Sequence, residues 1–186
     1  MNNIMPKVGT LIKNGCFLVL LLTVSAAAQS KPWTTAASTG TVDEADIAKV
    51  KFVNGEASLD PALPAGTTAT IRYNVVAVDN LLKLGVTQMT ARFQDNGAGA
   101  QVIVRLKRYN FDPGGAPSLM IELDSNDFGA LGAYQTQTVN GCGAPLFDFV
   151  HNAYFVEVEL RKLADDGVPR MGVVKLDVFG NIICGQ

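Results

Sequence analysis

Histidine, tryptophan and cysteine are scarce in this chain of 186 residues: one His, one Trp and three Cys. With His151 as the one histidine, a zinc centre of the usual three or four His, Cys or carboxylate ligands is disfavoured. A Ser-His-Asp hydrolase would have to use the same residue as its base, and no G-x-S-x-G elbow is present to carry a nucleophile. Charge is sparse too, at 17% of residues, and the formal net charge is −2. Nucleic-acid binders normally carry a basic excess, so that class is excluded as a first reading. A disordered, highly charged tail is excluded by the 48% hydrophobic content. There is no phosphate-cradling loop ending in Gly-Lys-Ser or Gly-Lys-Thr, so Asp43-Glu44-Ala45-Asp46 reads as an acidic stretch and not as a helicase box. Gly97-Ala98-Gly99 is followed by another strand pattern where a nucleotide loop would open a helix, and it reads as a turn.

Only one long apolar run exists, and it lies at the N-terminus. Lys7 and Lys13 precede an apolar stretch from Cys16 to Ala28 that ends Ala26-Ala27-Ala28. Its 13 residues are too few for a span of about 20. The positive start and small-residue end match a secretory signal peptide cleaved near Ala28. The expected organisation is therefore a signal peptide over 1–28, a flexible lead-in over 29–46 rich in Ser, Thr, Ala and acids, and one domain over 47–186. Export places the protein in the periplasm or outside the cell, with no membrane span in the mature chain. It also makes Cys142 and Cys184, the pair that survives cleavage, candidates for one disulfide.

From Ile47 onward short runs of Val, Ile, Phe, Tyr and Thr alternate with Gly, Pro, Asn and Asp. Eight strands are expected, at 47–53, 67–78, 86–94, 100–109, 117–124, 134–139, 153–162 and 171–179. Their period of two is plain: Tyr154, Val156, Val158 and Leu160 alternate with Glu157, Glu159 and Arg161. One apolar and one polar face mean half-buried antiparallel strands. The predicted fold is all-β, a two-sheet antiparallel sandwich of jelly-roll or Ig-like topology. Asp95-Asn96-Gly97, Asp112-Pro113-Gly114-Gly115 and Asp165-Asp166-Gly167 each predict a hairpin, and 78–86 has room for one helical turn.

Few residues invite chemistry. Asp124, Asn126 and Asp127 are short oxygen side chains of the type that hold calcium. The EF-hand spacing is missing, and such residues also populate turns for their own backbone bonds. Glu157 and Glu159 lie on one face of one strand, where Arg105 and Lys107 on a neighbouring strand could pair with them. His151 reads as a strand-end residue with a local hydrogen bond. Trp33 lies in the lead-in, and Tyr73, Tyr109, Tyr134 and Tyr154 fall in or at the ends of strands, where packing is their default role. The expected function is that of an exported non-catalytic sandwich with a binding, adhesive or surface-structural role and an extracellular ligand or protein partner. The alternatives are an accessory carbohydrate- or calcium-binding module, and then a hydrolase with an unrecognised site. No catalytic residue is assigned, and the one cofactor left open is a structural calcium.

Overall fold

The computed structural model describes residues 31–180. The expected signal segment and Cys184 lie outside the described residues. Eleven strands form: β1 (Trp33–Ala36), β2 (Thr41–Val42), β3 (Val50–Val53), β4 (Glu56–Leu59), β5 (Thr67–Val75), β6 (Val86–Asp95), β7 (Ala100–Asn110), β8 (Ser118–Asp124), β9 (Leu131–Gly141), β10 (Asn152–Lys162) and β11 (Arg170–Phe179). All eight expected strands are among them. Two short 3-10 turns, Ala37–Thr39 and Ser125–Asp127, are the only helical pieces among the described residues. The expected helical turn at 78–86 is a pair of tight turns, closed by Leu81 N to Val78 O and Lys83 N to Asn80 O. No described helix is long and apolar enough to cross a membrane.

The strands form two antiparallel sheets. The six-stranded sheet runs β3–β4–β11–β6–β9, with β1 also paired to β11; the five-stranded sheet runs β2–β5–β10–β7–β8. The pairs β7–β8, β6–β9, β5–β10 and β4–β11 nest around one another. The chain thus behaves as one long hairpin with β7–β8 at its tip, and successive pairs fall on opposite sheets. That winding is a jelly roll, which decides between the two expected topologies.

The inward faces are those that the alternation marked. Ile71, Tyr73, Met89, Phe93, Val102, Leu106, Val156, Leu160, Val174 and Leu176 are all buried in one core between the sheets. Leu119 departs from its expected side. The β7–β8 register shifts between Leu106 and Lys107, so one residue of β8 is extra and Leu119 turns outward, 55% exposed.

Three expectations need correction. First, the described part of the expected lead-in, residues 31–46, is not loose. Trp33–Ala36 pair with Val173–Leu176 of β11, Thr41–Val42 pair with β5, and Trp33 is only 6% exposed within the core. The segment lacks apolar periodicity because it lays just one large anchor, Trp33, and a few small residues into the core. Second, two of the three expected hairpins are not hairpins. Residues 95–97 carry the chain from β6 to β7, and 165–167 from β10 to β11, each crossing between sheets. Turn chemistry dictates a reversal but not which sheet receives the next strand. The two crossings brace each other: Asn96 Nδ2 donates to Asp166 O at 2.8 Å, and Val168 N donates to Asn96 Oδ1 at 2.8 Å. Third, strand β4 and its hairpin with β3 were missed. Asn54 (φ 52°) and Gly55 (φ 88°) form its two-residue turn, the left-handed pair that Asn-Gly favours.

Candidate functional site on the outer face of the five-stranded sheet

The sequence candidates fall at separate places. In the 124–127 loop, both Asp124 carboxylate oxygens accept from Gln101 Nε2, at 2.9 and 2.8 Å. Asp124 Oδ1 also accepts from Asn126 N at 3.0 Å, capping the short turn. Ser125 is buried; its hydroxyl donates to buried Asp95 and accepts from Val102 N, tying the ends of strands from both sheets together. Asn126 and Asp127 are exposed. The loop is therefore built as a turn and a joint. Among the described residues, no three His, Cys, Asp or Glu side chains gather as metal ligands. His151 makes the expected local contact, Nδ1 to Asp148 Oδ2 at 2.7 Å, in the turn that enters β10. Ser118 donates to Arg108 O and not to this histidine.

Glu157 and Glu159 are brought together with much more than a pair of cations. On the outer face of β10, Glu157 meets Lys107 Nζ at 2.6 Å, Arg72 Nε at 3.4 Å and Arg105 Nη1 at 3.8 Å. Glu159 meets Arg105 Nη1 and Arg161 Nε, both at 2.7 Å. Arg105 also holds Glu122 at 2.6 Å, and Arg72 holds Asp43 at 2.6 Å. The lattice spans β5, β10, β7 and β8 and reaches the segment after β2. Both glutamates are held in ion pairs. Burial pushes the Glu159 carboxyl up, but Arg161 and Arg105 outweigh it and hold the group below the ordinary glutamate range. Asp46 behaves alike: burial is outweighed by Lys49 and by the Thr70 amide. A carboxyl lowered in the folded state stabilises the fold above its unfolded pKa and loses that contribution as pH falls through the folded value. Thermal stability is therefore expected to fall between roughly pH 5 and 3, and Glu159→Gln should shrink that fall. A melting temperature that stays flat across this range would contradict it.

Toward the other end of the same face the charges give way to apolar groups. The β10–β7 register is unbroken, with Phe155 opposite Lys107 and Ala153 opposite Tyr109, while Asn74 of β5 flanks Phe155. Alternation turns Phe155, Tyr109 and Lys107 outward. Phe155 and Tyr109 are diagonal neighbours, with Cα atoms roughly 7–8 Å apart. The bulge adds Leu119 opposite Lys107, and Val76 and Phe111 continue the patch just past the ends of β5 and β7. Tyr109 is 44% exposed and Phe111 61%. Exposed apolar side chains thus gather here beside polar neighbours. Lys107, Glu157 and Asn74 supply donors and acceptors along its border.

Sequence reasoning found Glu157, Glu159, Arg105 and Lys107 but missed Arg72, Phe155 and the exposure of Leu119. Of the four tyrosines, Tyr73 and Tyr154 are core residues. Burial pushes the Tyr73 phenol well up, and its hydroxyl donates to Ala37 O at 2.9 Å. Tyr154 packs against Phe147 and Phe149, with ring centroids at 4.8 and 4.9 Å. Only Tyr109 stands well exposed, and Tyr134 is half-buried on the opposite sheet.

No protein-family model and no curated protein sequence matches this chain. Among solved structures it is similar to a CBM36 domain of a multidomain xylanase from the hindgut metagenome of Trinervitermes trinervoides. That likeness has 12% identity and a TM-score of 0.48, covering 81% of this chain and all of that one. It is similar to a carbohydrate-binding module of Cellvibrio mixtus lichenase 5A, in complex with cellotriose, at 11% identity and a TM-score of 0.43, covering 79% and 97% of the two chains. It is also similar to a family two carbohydrate esterase from Cellvibrio japonicus, at 17% identity and a TM-score of 0.36, covering 83% of this chain and 37% of the enzyme. At these identities and scores the likeness assigns no site and no ligand to this chain.

Proposed function

We propose that this protein is an exported, non-catalytic binding module that docks a carbohydrate on the apolar end of its five-stranded sheet. The observation that carries the reading is the outward pair Tyr109 and Phe155 beside Lys107, Asn74 and Glu157. A sugar ring has an apolar C–H face and a rim of hydroxyls. It suits a flat aromatic surface bordered by charged and amide groups, where the ring shields the aromatics and the rim finds hydrogen bonds. The reaction chemistry that would favour an enzyme is missing from this face, since its carboxylates are held in ion pairs. The charged N-terminal start, the 13-residue apolar run and its small-residue end support export.

A glycan array probed with the exported chain, with and without calcium, tests the reading. Binding to one neutral glycan class is expected, independent of calcium. Isothermal titration should then show Tyr109→Ala weakening that ligand roughly five- to tenfold, the worth of an aromatic contact of about 1 kcal/mol. Its melting temperature should hold, because Tyr109 lies outside the core. No glycan bound in either condition, or an undiminished affinity in Tyr109→Ala, would remove the proposal.

A further inference from the structure

The outer face of the six-stranded sheet carries a second, differently charged feature. A band of outward side chains crosses it from strand to strand: Lys51 on β3, Glu56 and Ser58 on β4, Arg170 on β11, Arg92 on β6 and Tyr134 on β9. Two clefts of about 240 and 420 Å³ lie along the band and share Asn54 and Glu56 as their common wall. Arg92 lines the first and Arg170 the second. Gly172 lines the first cleft beside Arg92. It sits at the bulge where the β11–β6 register shifts, and a Cβ there would meet Arg92 O at 3.2 Å and the Tyr134 ring at 3.5 Å.

Polar groups in this band are left without partners. Among the described residues neither Arg92 nor Arg170 forms an ion pair, unlike Arg72, Arg105 and Arg161 on the opposite sheet. Arg92 lies over the Tyr134 ring, 4.8 Å from its centroid. Arg170 Nε is buried and makes no hydrogen bond. Burial, and then a hydrogen bond to the Glu56 carboxylate, push the Tyr134 phenol well above its ordinary range. Lys51 is bridged to Asp60 at 3.0 Å, so Glu56, paired with the Tyr134 hydroxyl, is the carboxylate that lines both clefts beside the two guanidiniums. Arg170 stands opposite Gln94, two residues along β6 from Arg92. The two arginines are therefore diagonal neighbours on one face, with Cα atoms roughly 7–8 Å apart. An unmet buried donor costs free energy, and a guanidinium fork matches a planar or tetrahedral oxyanion.

We propose that this groove is a second binding site, taking a saccharide that bears an oxyanion, with the charged group between Arg92 and Arg170 and the sugar ring reaching Tyr134 and Glu56. The shared chemistry of the ligand is an oxygen-rich anion on a sugar, carried either as a uronate carboxylate or as a sulfate ester. The saccharide part rests on the function proposed above, and the anion part rests on this groove alone.

Titration calorimetry with three probes tests it: an oligogalacturonate, a sulfated galactan oligosaccharide and a neutral cello-oligosaccharide. At least one of the two anionic probes should bind, and which one binds identifies the carrier of the charge. Its affinity should fall tenfold or more in Arg170→Gln and in Arg92→Gln, weaken with added salt, and be unaltered in Tyr109→Ala. Thermal melts check each variant; Arg92 is exposed, so Arg92→Gln carries the test if Arg170→Gln melts early. The proposal is overturned if neither anionic probe binds, if both arginine variants bind as well as the parent, or if Tyr109→Ala removes anionic binding as well. Loss of neutral binding in Tyr109→Ala with anionic binding intact supports two separate sites. Anionic binding without any neutral glycan bound would sink the first reading and leave this one standing.

Discussion

Replacing Trp33 by alanine is expected to destabilise the protein by about 3–5 kcal/mol, the range for removing a buried tryptophan. Trp33 pairs through its backbone with Leu176 at the centre of β11, and its side chain is 6% exposed among the core residues. Alanine would leave a void that the surrounding strands cannot close without breaking the β1–β11 ladder. For a domain of this size the loss corresponds to a melting temperature lower by roughly 10 °C or more. Thr34→Ala, on the outward side of the same strand, serves as control and should change little. As the sole tryptophan, Trp33 reports on itself. Its fluorescence in the parent should be blue-shifted and should move to the red on unfolding. Deleting the chain through Val42 should cost at least as much, since β2 is lost as well. If both Trp33→Ala and the deletion melted like the parent, the first two strands would not be docked in solution.

Reducing the protein is expected to have the other large effect. Strands β9 and β11 both run antiparallel to β6, so they run parallel to each other and end at the same end of the sheet. Gly141 pairs with Thr87, and Phe179 with Val86, its neighbour. Cys142 thus follows immediately on one strand, and Cys184 is five residues beyond the other. Five extended residues reach roughly 16 Å, while two strand spacings are only about 10 Å. The described part of the chain therefore leaves a Cys142–Cys184 bridge within reach. Such a bridge would close a loop of 43 residues. In the chain-entropy account that loop contributes at most about 4 kcal/mol, against the ~5–15 kcal/mol typical of a whole domain. Intact mass after alkylation of the denatured, unreduced monomer should show no alkylated thiol, and reduction should lower the melting temperature by several degrees. Two alkylated thiols without reductant would exclude the bridge.

Much of this molecule could be read along the chain. The alternation in β10 named its core side residue by residue, and the runs now seen as β5, β6, β7 and β11 were equally legible. A period of two in a half-buried strand is a local consequence of the pleat, so it survives without knowledge of the partners. Trp33 left no such trace, because a single anchor has no period. The same holds for β4, whose four residues bury only Ala57 and Leu59. Its Asn54-Gly55 turn was the one local signal that would have revealed it.

The candidate surfaces were less legible than the core. Glu157, Glu159, Arg105 and Lys107 could be grouped in sequence because each sits in a strongly alternating strand. Phe155 stood at an outward position of β10, but nothing local said that Tyr109 would lie diagonal to it or that a bulge would swing Leu119 to the same side. Arg92 and Arg170 are 78 positions apart in the chain. They become neighbours only through the β6–β11 register, and the bulge places Gly172 where a side chain would crowd Arg92 and the Tyr134 ring. An all-β chain, the positions of its long strands and which side of each faces the core were all legible along the chain, since these follow from local alternation and turn chemistry. The jelly-roll winding, the docking of β1 and both outer faces emerge from the folded arrangement, because strand partners and register are set by which apolar faces bury each other across long separations in the chain.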